Sequence, residues 1–382
     1  MASHAFLRGL ETSGCVGPSS GWQPMHLVVL DDGDVAALQV SGDPDDPTLT
    51  LRPIAAAPCY AKGNSWGEYV FDWQWAEVFA QQGKAYYPKL VVGIPFTPAT
   101  GPRLLVPAGD EPENATLPAT LRAMLAAGVV GLARRVGASS VHALFLEADD
   151  VQALLAAGFS ERYTLQHKFH NRDAEGAPFK DVDDWLGQMR SSARKSVRRE
   201  RRIASGHGLA LEVCAGDALS AADWDAVFAL YAFGCERYGS KPYLNRAFFD
   251  VLAGPLAPSV CTTLARDGDG EVVAATLNFR GRGALFGRYW GAVEEWPMLH
   301  FEMAYYLPIE FAIAHGCTRF EAGSGGGHKL RRGLEPTLCR SAHLVFDAEL
   351  GPAIAAWLGR ERSQLERLRV ELIAQGTGRR DA

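Results

Sequence analysis

The sequence predicts a mixed α/β (α+β) protein in which one structural theme occurs twice. Helix-period and strand-period segments alternate through both halves of the chain. Residues 260–290 form three strand-like runs joined by the glycine-marked turns Asp267-Gly268-Asp269-Gly270 and Gly281-Arg282-Gly283, which fix an antiparallel meander. The length of 382 residues exceeds one ordinary domain and suits two or three units or a duplicated fold.

Taken in order, residues 4–10 have a helical pattern, and strands are expected at 25–30 and 35–40 around the turn Asp31-Asp32-Gly33-Asp34. Residues 41–58, with proline turns and no sustained period, read as an inserted hairpin or loop. A strand at 68–71 leads into a helix at 72–82 that Gly83 ends. Pro88, Pro95, Pro98, Pro102 and Pro107, with Gly93, Gly101 and Gly109, make 91–109 an ordered loop system, the kind of segment that lines sites. Helices at 117–136 and 149–157 then alternate with strands at 141–146 and 163–170. One long amphipathic helix is expected over 182–204, then a strand at 209–213 and helices at 221–238 and 245–252. Strands at 260–266, 272–279 and 284–290, a helix at 299–315, a strand at 319–321 and a charged helix at 352–372 complete the chain, with a frayed tail at 376–382. A meander followed by a helix and another strand is the core of GNAT-type acyltransferases, and many other α+β folds share it.

Composition removes several classes. Hydrophobic residues make up 47% and charged residues 21%, with 9 Trp, 11 Tyr and 18 Phe, which excludes disorder, collagen and coiled-coil rods. The formal charge of −6 argues against a generally basic nucleic-acid binder. Seven scattered cysteines, none in a C-x-x-C, indicate neither a disulfide framework nor a zinc site, and a reducing cytoplasmic location is expected. The stretch 303–313 is short and broken by Glu310, so no membrane insertion is expected, and no signal peptide is apparent. No metal site is expected; His167 and His170 lack metal-pair spacing.

Three constellations could carry chemistry. Residues 190–202 hold seven basic residues and one acid, Glu200, a net of +6 that leaves −12 for the rest of the chain. Such a stripe can grip the phosphates of tRNA, a nucleotide sugar or CoA, and a solvated helix face is the bland alternative. In the segment 321–333, Gly323, Gly325, Gly326 and Gly327 are followed by His328, Lys329, Arg331 and Arg332, so backbone N–H groups and cations can converge on an anion. It is neither a P-loop nor a G-x-S-x-G elbow. Finally, Glu302, Tyr306 and Glu310 share one helix face with His300 nearby, a set suited to deprotonating an amine.

Two stretches carry a family resemblance. Lys62-Gly63-Asn64-Ser65-Trp66-Gly67-Glu68-Tyr69-Val70-Phe71-Asp72-Trp73, continued by Tyr86-Tyr87-Pro88-Lys89-Leu90 and Pro95-Phe96-Thr97-Pro98-Ala99-Thr100-Gly101-Pro102-Arg103, resembles the first half of the N-acyltransferases labelled peptidoglycan biosynthesis/recognition proteins, relatives of Fem-type aminoacyl transferases. Gly287-Arg288-Tyr289-Trp290-Gly291, Leu299-His300-Phe301-Glu302 and Phe320-Glu321-Ala322-Gly323 through His328-Lys329 look like the second half. The likeness runs from residue 3 to about 345, the chain opening a little inside the usual start. It implies a tandem GNAT-like fold, residues 1–175 and 176–382, with a cleft between the halves. The chain departs from the family pattern at Asn64, Gly325 and Gly327, where a histidine, a glutamine and a glutamate are usual.

The resemblance implies an N-acyl or aminoacyl transferase that forms an amide between an activated donor and a small-molecule or peptide amine, in cell-wall or specialised-metabolite biosynthesis. Glu302 or His328 is the expected base, with Lys329 and the glycine-loop N–H groups as oxyanion donors. Arg194, Lys195, Arg198 and Arg199 are expected on donor phosphates. Lys62, Glu68, Tyr69, Asp72, Lys89, Arg103, Arg288, Tyr289 and Glu321 are expected to bind substrate. No tightly bound cofactor is expected; the donor is a co-substrate, either aminoacyl-tRNA or acyl-CoA. The sequence offers no convincing Q/R-x-x-G-x-G/A pyrophosphate loop, which favours tRNA over CoA. A DNA-binding role is not expected, for no helix-turn-helix or zinc module accompanies the basic helix. The alternative is a non-catalytic protein that binds a peptide or cell-wall precursor on the same fold.

Overall fold

The computed structural model describes residues 3–35, 51–108, 116–237, 239–323 and 325–378. The strand expected at 35–40 and most of the insertion at 41–58 lie outside them, apart from their edges.

Among the described residues, thirteen strands alternate with helices: β1 (Trp22–Pro24), β2 (Leu27–Val29), β3 (Ala55–Ala57), β4 (Cys59–Lys62), β5 (Lys89–Val92), β6 (Ser140–Leu146), β7 (Ser160–His170), β8 (Ala210–Ala215), β9 (Val260–Arg266), β10 (Val272–Gly281), β11 (Ala284–Ala292), β12 (Arg319–Glu321) and β13 (Glu335–Val345). Eleven of them form one sheet in the order β1-β4-β5-β6-β13-β7-β12-β11-β10-β9-β8, and β2 pairs with β3 alone. The helices are α1 (His4–Thr12), α2 (Trp73–Gln81), α3 (Leu117–Arg135), α4 (Ala148–Ala156), α5 (Val182–Gly187), α6 (Ser191–Ser205), α7 (Ala221–Arg237), α8 (Arg246–Ala253), α9 (Leu299–Phe301), α10 (Leu307–Ala314) and α11 (Leu350–Gln375).

The repeated theme is visible in the pairing. In each half an antiparallel run ends in a parallel pair joined by a helical crossover: β5 to β6 through α3, and β11 to β12 through α9 and α10. Each parallel pair is then backed by a strand from the other half. β13 lies beside β6, and β7 lies beside β12. β13 and β7 themselves pair over nine residues, from Glu335↔Lys168 to His343↔Ser160, and so zip the halves into one sheet.

Apolar faces cover both sides. α3 buries Leu121, Leu125 and Val129 against Leu90, Val92 and Val141; it is the one described helix whose length and apolar composition would suffice to cross a membrane. On the second half α7 lies against β11 through two facing glycines. A Cβ on Gly234 would sit 2.6 Å from the Trp290 carbonyl oxygen, and one on Gly291 would sit 2.0 Å from that of Leu230. Backbone cannot yield as a side chain can. Gly291→Ala is therefore expected to destabilise the protein by about 1–3 kcal/mol, read as a lower urea midpoint; an unchanged midpoint would refute this close approach.

Several expectations change. Residues 68–71 form a loop with Tyr69 at φ 60°, because Glu68 turns inward to buried lysines. The long helix at 182–204 is two helices: the Arg190 N–H donates to the Thr377 carbonyl (2.8 Å) and Met189 is buried against Trp185 and Gly333, so the helical ladder is interrupted there. Between α9 and α10 the helix widens into a π-turn, Glu302–Tyr306. Pro308, which has no N–H to return to Ala304, follows it. β13 was not apparent from periodicity: its buried Ser341 and His343 look like surface residues in sequence.

Candidate active site

β11 spans nine residues, yet β12 pairs with it only at Ala284, Leu285 and Phe286. Beyond Glu321 the chain leaves the sheet as the glycine segment, so the two parallel strands splay. A cavity of about 510 Å³ opens in the gap. Its floor holds buried Thr276 and Asn278, bonded to each other at 2.9 Å, and Tyr231, Tyr243, Tyr289 and Trp290 supply aromatic wall. A bulge on β11 makes Arg288 the extra residue between the pairs Leu277↔Tyr289 and Asn278↔Gly287. Its guanidinium lies 5.3 Å from the Tyr69 ring and 5.0 Å from the Tyr289 ring, and donates to the Phe96 carbonyl.

The far wall is the segment after β12. Lys329, 3% exposed, donates to the carbonyls of Ala322 and Gly323, each at 2.9 Å, and so closes the glycine loop on itself. Burial brings its amine down to about 8. His328 Nε2 is 3.0 Å from the Tyr305 hydroxyl, and burial together with Arg332 and Lys329 lowers this imidazole below its ordinary value. His300, packed at a tilt between Trp290 (5.2 Å) and Phe301 (5.4 Å), is brought down to about 4 by burial and then by His328 and the two nearby cations, so it is neutral at pH 7. Lys241, Arg288 and Lys329 are the charged residues among the described lining, and no carboxylate faces the space. Such a cavity suits an anion or an oxygen on which negative charge develops.

α6 is tied to this wall by its only acid. Glu200 accepts from Arg332 Nε (3.0 Å) and Nη2 (3.1 Å) and from the Tyr306 hydroxyl (2.6 Å), while Arg332 Nη1 donates to the His328 carbonyl (2.8 Å) and its guanidinium stacks 3.3 Å from the Phe301 ring. Arg201 binds Glu302 through Nε (3.0 Å) and Nη2 (2.8 Å) and Glu310 through Nη2 (2.8 Å). Glu302, Tyr306 and Glu310 do share a face, and that face meets α6. Glu302 thus lies outside the cavity, its carboxylate held by Arg201, although burial raises its pKa first of all. Of the expected phosphate contacts, Arg198 pairs with Asp183 (2.9 Å); Arg194, Lys195 and Arg199 have no ion-pair partner among the described residues.

Other expected residues are placed differently. Lys62, Glu68, Asp72 and Lys89 are in the core instead of the cleft. Lys89 donates to Ser65 (2.8 Å), Glu68 (2.9 Å) and Asp72, the Tyr86 hydroxyl donates to Asp72 (2.5 Å), and Lys62 lies 3.9 Å from the Trp22 ring centre and 4.0 Å from Glu68. Burial pushes Lys62 down to about 7 and Glu68 up to about 7, whereas Lys89 ends above its ordinary value because its two carboxylates outweigh burial. This network fixes the loop that presents Tyr69 to the cavity. Arg103 is locked onto the Ala99, Gly101 and Pro102 carbonyls, and Glu321 onto Lys168 and Arg319, both at 3.0 Å. The cavity therefore gathers Tyr69, Arg288, Tyr289, His328 and Lys329 from the expected set. It adds His300, Tyr305, Thr276 and Asn278. Thr276 and Asn278 have a readable signal, two polar residues at i, i+2 in the otherwise apolar run 272–279; Tyr305 has none, since the π-turn sets its direction.

Comparison with known sequences matches the FemAB-like family, described as peptidoglycan biosynthesis/recognition, over residues 1–377. The chain belongs to the FemAB-like family. No curated protein is significantly similar to it in sequence. Among solved structures this FemAB-like chain resembles the crystal structure of FemX, at 12% identity and a TM-score of 0.50, over 92% of this chain and 93% of that one. It also matches the structure of L-PGS from Bacillus licheniformis, at 12% identity and a TM-score of 0.49, over 98% and 96%. At such identities the likeness is one of fold. The tandem GNAT-like architecture expected from the sequence holds for this FemAB-like protein.

Proposed function

We propose that the protein is an N-acyl or aminoacyl transferase acting at the splayed-strand cavity. The observation that carries this is the cavity itself: a space between parallel strands with no carboxylate among its described lining, holding His300 and His328 with lowered pKa values, a buried lysine and the backbone of the glycine loop. In the step proposed, an amine nitrogen attacks the carbonyl carbon of an activated ester or thioester. The new C–N bond forms, the C–O or C–S bond breaks, the leaving hydroxyl or thiol takes a proton, and the amine loses one. His328, bonded to Tyr305, is placed to accept the amine proton, and Lys329 with the loop N–H groups to hold the oxyanion.

An aminoacyl-tRNA donor is supported by the outer face of α6. Lys195, Arg199 and Arg202 are exposed on the helix that Glu200 fastens to the cavity wall, so a polyanion along it would lie next to the site. Filter binding of charged tRNA over a salt series is the check. Changing Lys195 and Arg199 to alanine is expected to weaken binding several-fold and to flatten the plot of log K against log salt by about two contacts' worth. Tight binding by the double variant with an unchanged slope would eliminate α6 as the tRNA contact. Amide formation itself is read by mass spectrometry after incubating the protein with charged tRNA or acyl-CoA and candidate amines.

Non-catalytic recognition of a peptide or cell-wall precursor has one observation in its favour: Glu302, the carboxylate expected as a base, is engaged by Arg201. Precursor binding with no new amide under any donor would favour that second function.

A further inference from the structure

A second cavity of about 340 Å³ adjoins the first and shares Gly234, Trp290 and His300 with it. Its charge is opposite. The described lining contains two carboxylates, Glu294 and Glu295, and one cation, Arg237, which Glu295 already neutralises at 2.5 Å. Glu294 is exposed at the rim with no ion-pair partner among the described residues. Trp290, Trp296 and Phe301 supply aromatic wall, and aromatic faces attract cations through the ring quadrupole. The two cavities meet at the His300 ring, between one space that favours anions and one that favours cations.

The geometry points to this second cavity as a binding site for an alkylammonium group, held by Glu294 and the faces of Trp290 and Trp296 and directed at His300. This rests on the transferase assignment for its place in the reaction, and not for its binding chemistry. Two sources present the same group: the amine acceptor, and the free ammonium of an aminoacyl donor. In either case the charge asymmetry orients the reactants, with the ester oxygen on the Lys329 side and the ammonium beyond His300.

NMR titration of the full chain tests it, with ligand signals read for affinity and protein signals for location, using cadaverine as an acceptor-like probe, alaninamide as a donor-like probe and 1-pentanol as a neutral control. The expected result is binding of an amine probe, shifts of tryptophan indole N–H signals, and no binding of pentanol. Glu294→Gln and Trp296→Ala should each weaken that probe at least fivefold, with Trp296→Phe recovering most of the affinity at an unchanged melting temperature. Loss for cadaverine identifies the acceptor as the source, and loss for alaninamide the donor. Equal affinity of wild type and both variants for both amines, or binding of pentanol as tight as cadaverine, overturns the site. If wild type binds amine in this way but forms no amide with any donor, the transferase assignment fails and the ammonium site stands.

Discussion

Lys329→Met is expected to slow amide formation at saturating amine by roughly 100- to 1000-fold, the loss seen when one preorganised oxyanion donor is removed. The side chain also closes the glycine loop through the Ala322 and Gly323 carbonyls, so the variant leaves both acceptors unpaired and loosens the N–H groups beside them. Single-turnover rates separate this from a binding defect: kcat should fall and KM should change little. A variant within threefold of wild type would remove Lys329 from the chemistry. Its burial adds a pH signature. With a folded pKa near 8, the amine loses its charge as pH rises through that value, and turnover should decline there. Stability should move the other way. Between about 8 and the ordinary 10.5 the unfolded chain holds a proton that the folded one does not, so stability gains with rising pH across that window. In Lys329→Met both dependences should flatten.

Glu200→Ala is expected to destabilise the protein by about 3–5 kcal/mol, because it strands the buried Arg332 guanidinium without its partner. The same change unhooks the Tyr306 hydroxyl and frees the segment that holds His328. Urea denaturation measures the loss, and it should be nearly independent of salt, as a buried pair is screened far less than an exposed one. Replacing both partners, Glu200→Leu with Arg332→Met, should recover most of the stability but not the placement of His328. A double variant no more stable than Glu200→Ala would show that the pair's hydrogen bonds, and not the stranded charge, set the effect.

The elements whose faces are plainly apolar on one side were legible from sequence: α3, α7, the β9–β11 meander and the crossover into β12. What escaped were places where polar groups are buried in pairs. Glu68 and Lys89 looked like ligands for a substrate because charged residues in a dense motif resemble a site; in the fold they satisfy each other in the core. His343 concealed β13 for the same reason, being buried against His142 at 2.8 Å between the ring nitrogens. The helix expected at 299–315 is present to Ala314, and Glu302 and Tyr306 lie on one face as expected. Only the tertiary partner, α6, decides that this face is turned to arginine and not to substrate. In sequence Glu200 is merely the exception in a basic run; in the fold it is the residue that fastens the run to the site.

The exchange of β7 and β13 between the halves also bears on how the chain is made. β6 and β7 are both synthesised by residue 170, but the strand that separates them in the sheet is complete only at residue 345. Until then β6 and β7 each present an edge of unpaired N–H and C=O groups to the other, with nothing of the right register between them. Closing that gap requires pairing across some 170 residues of chain, a non-local step of the kind that slows folding. The first half is thus a receptor waiting for its own C-terminal strand, and on the ribosome it is the stage most open to premature pairing and to capture by a chaperone.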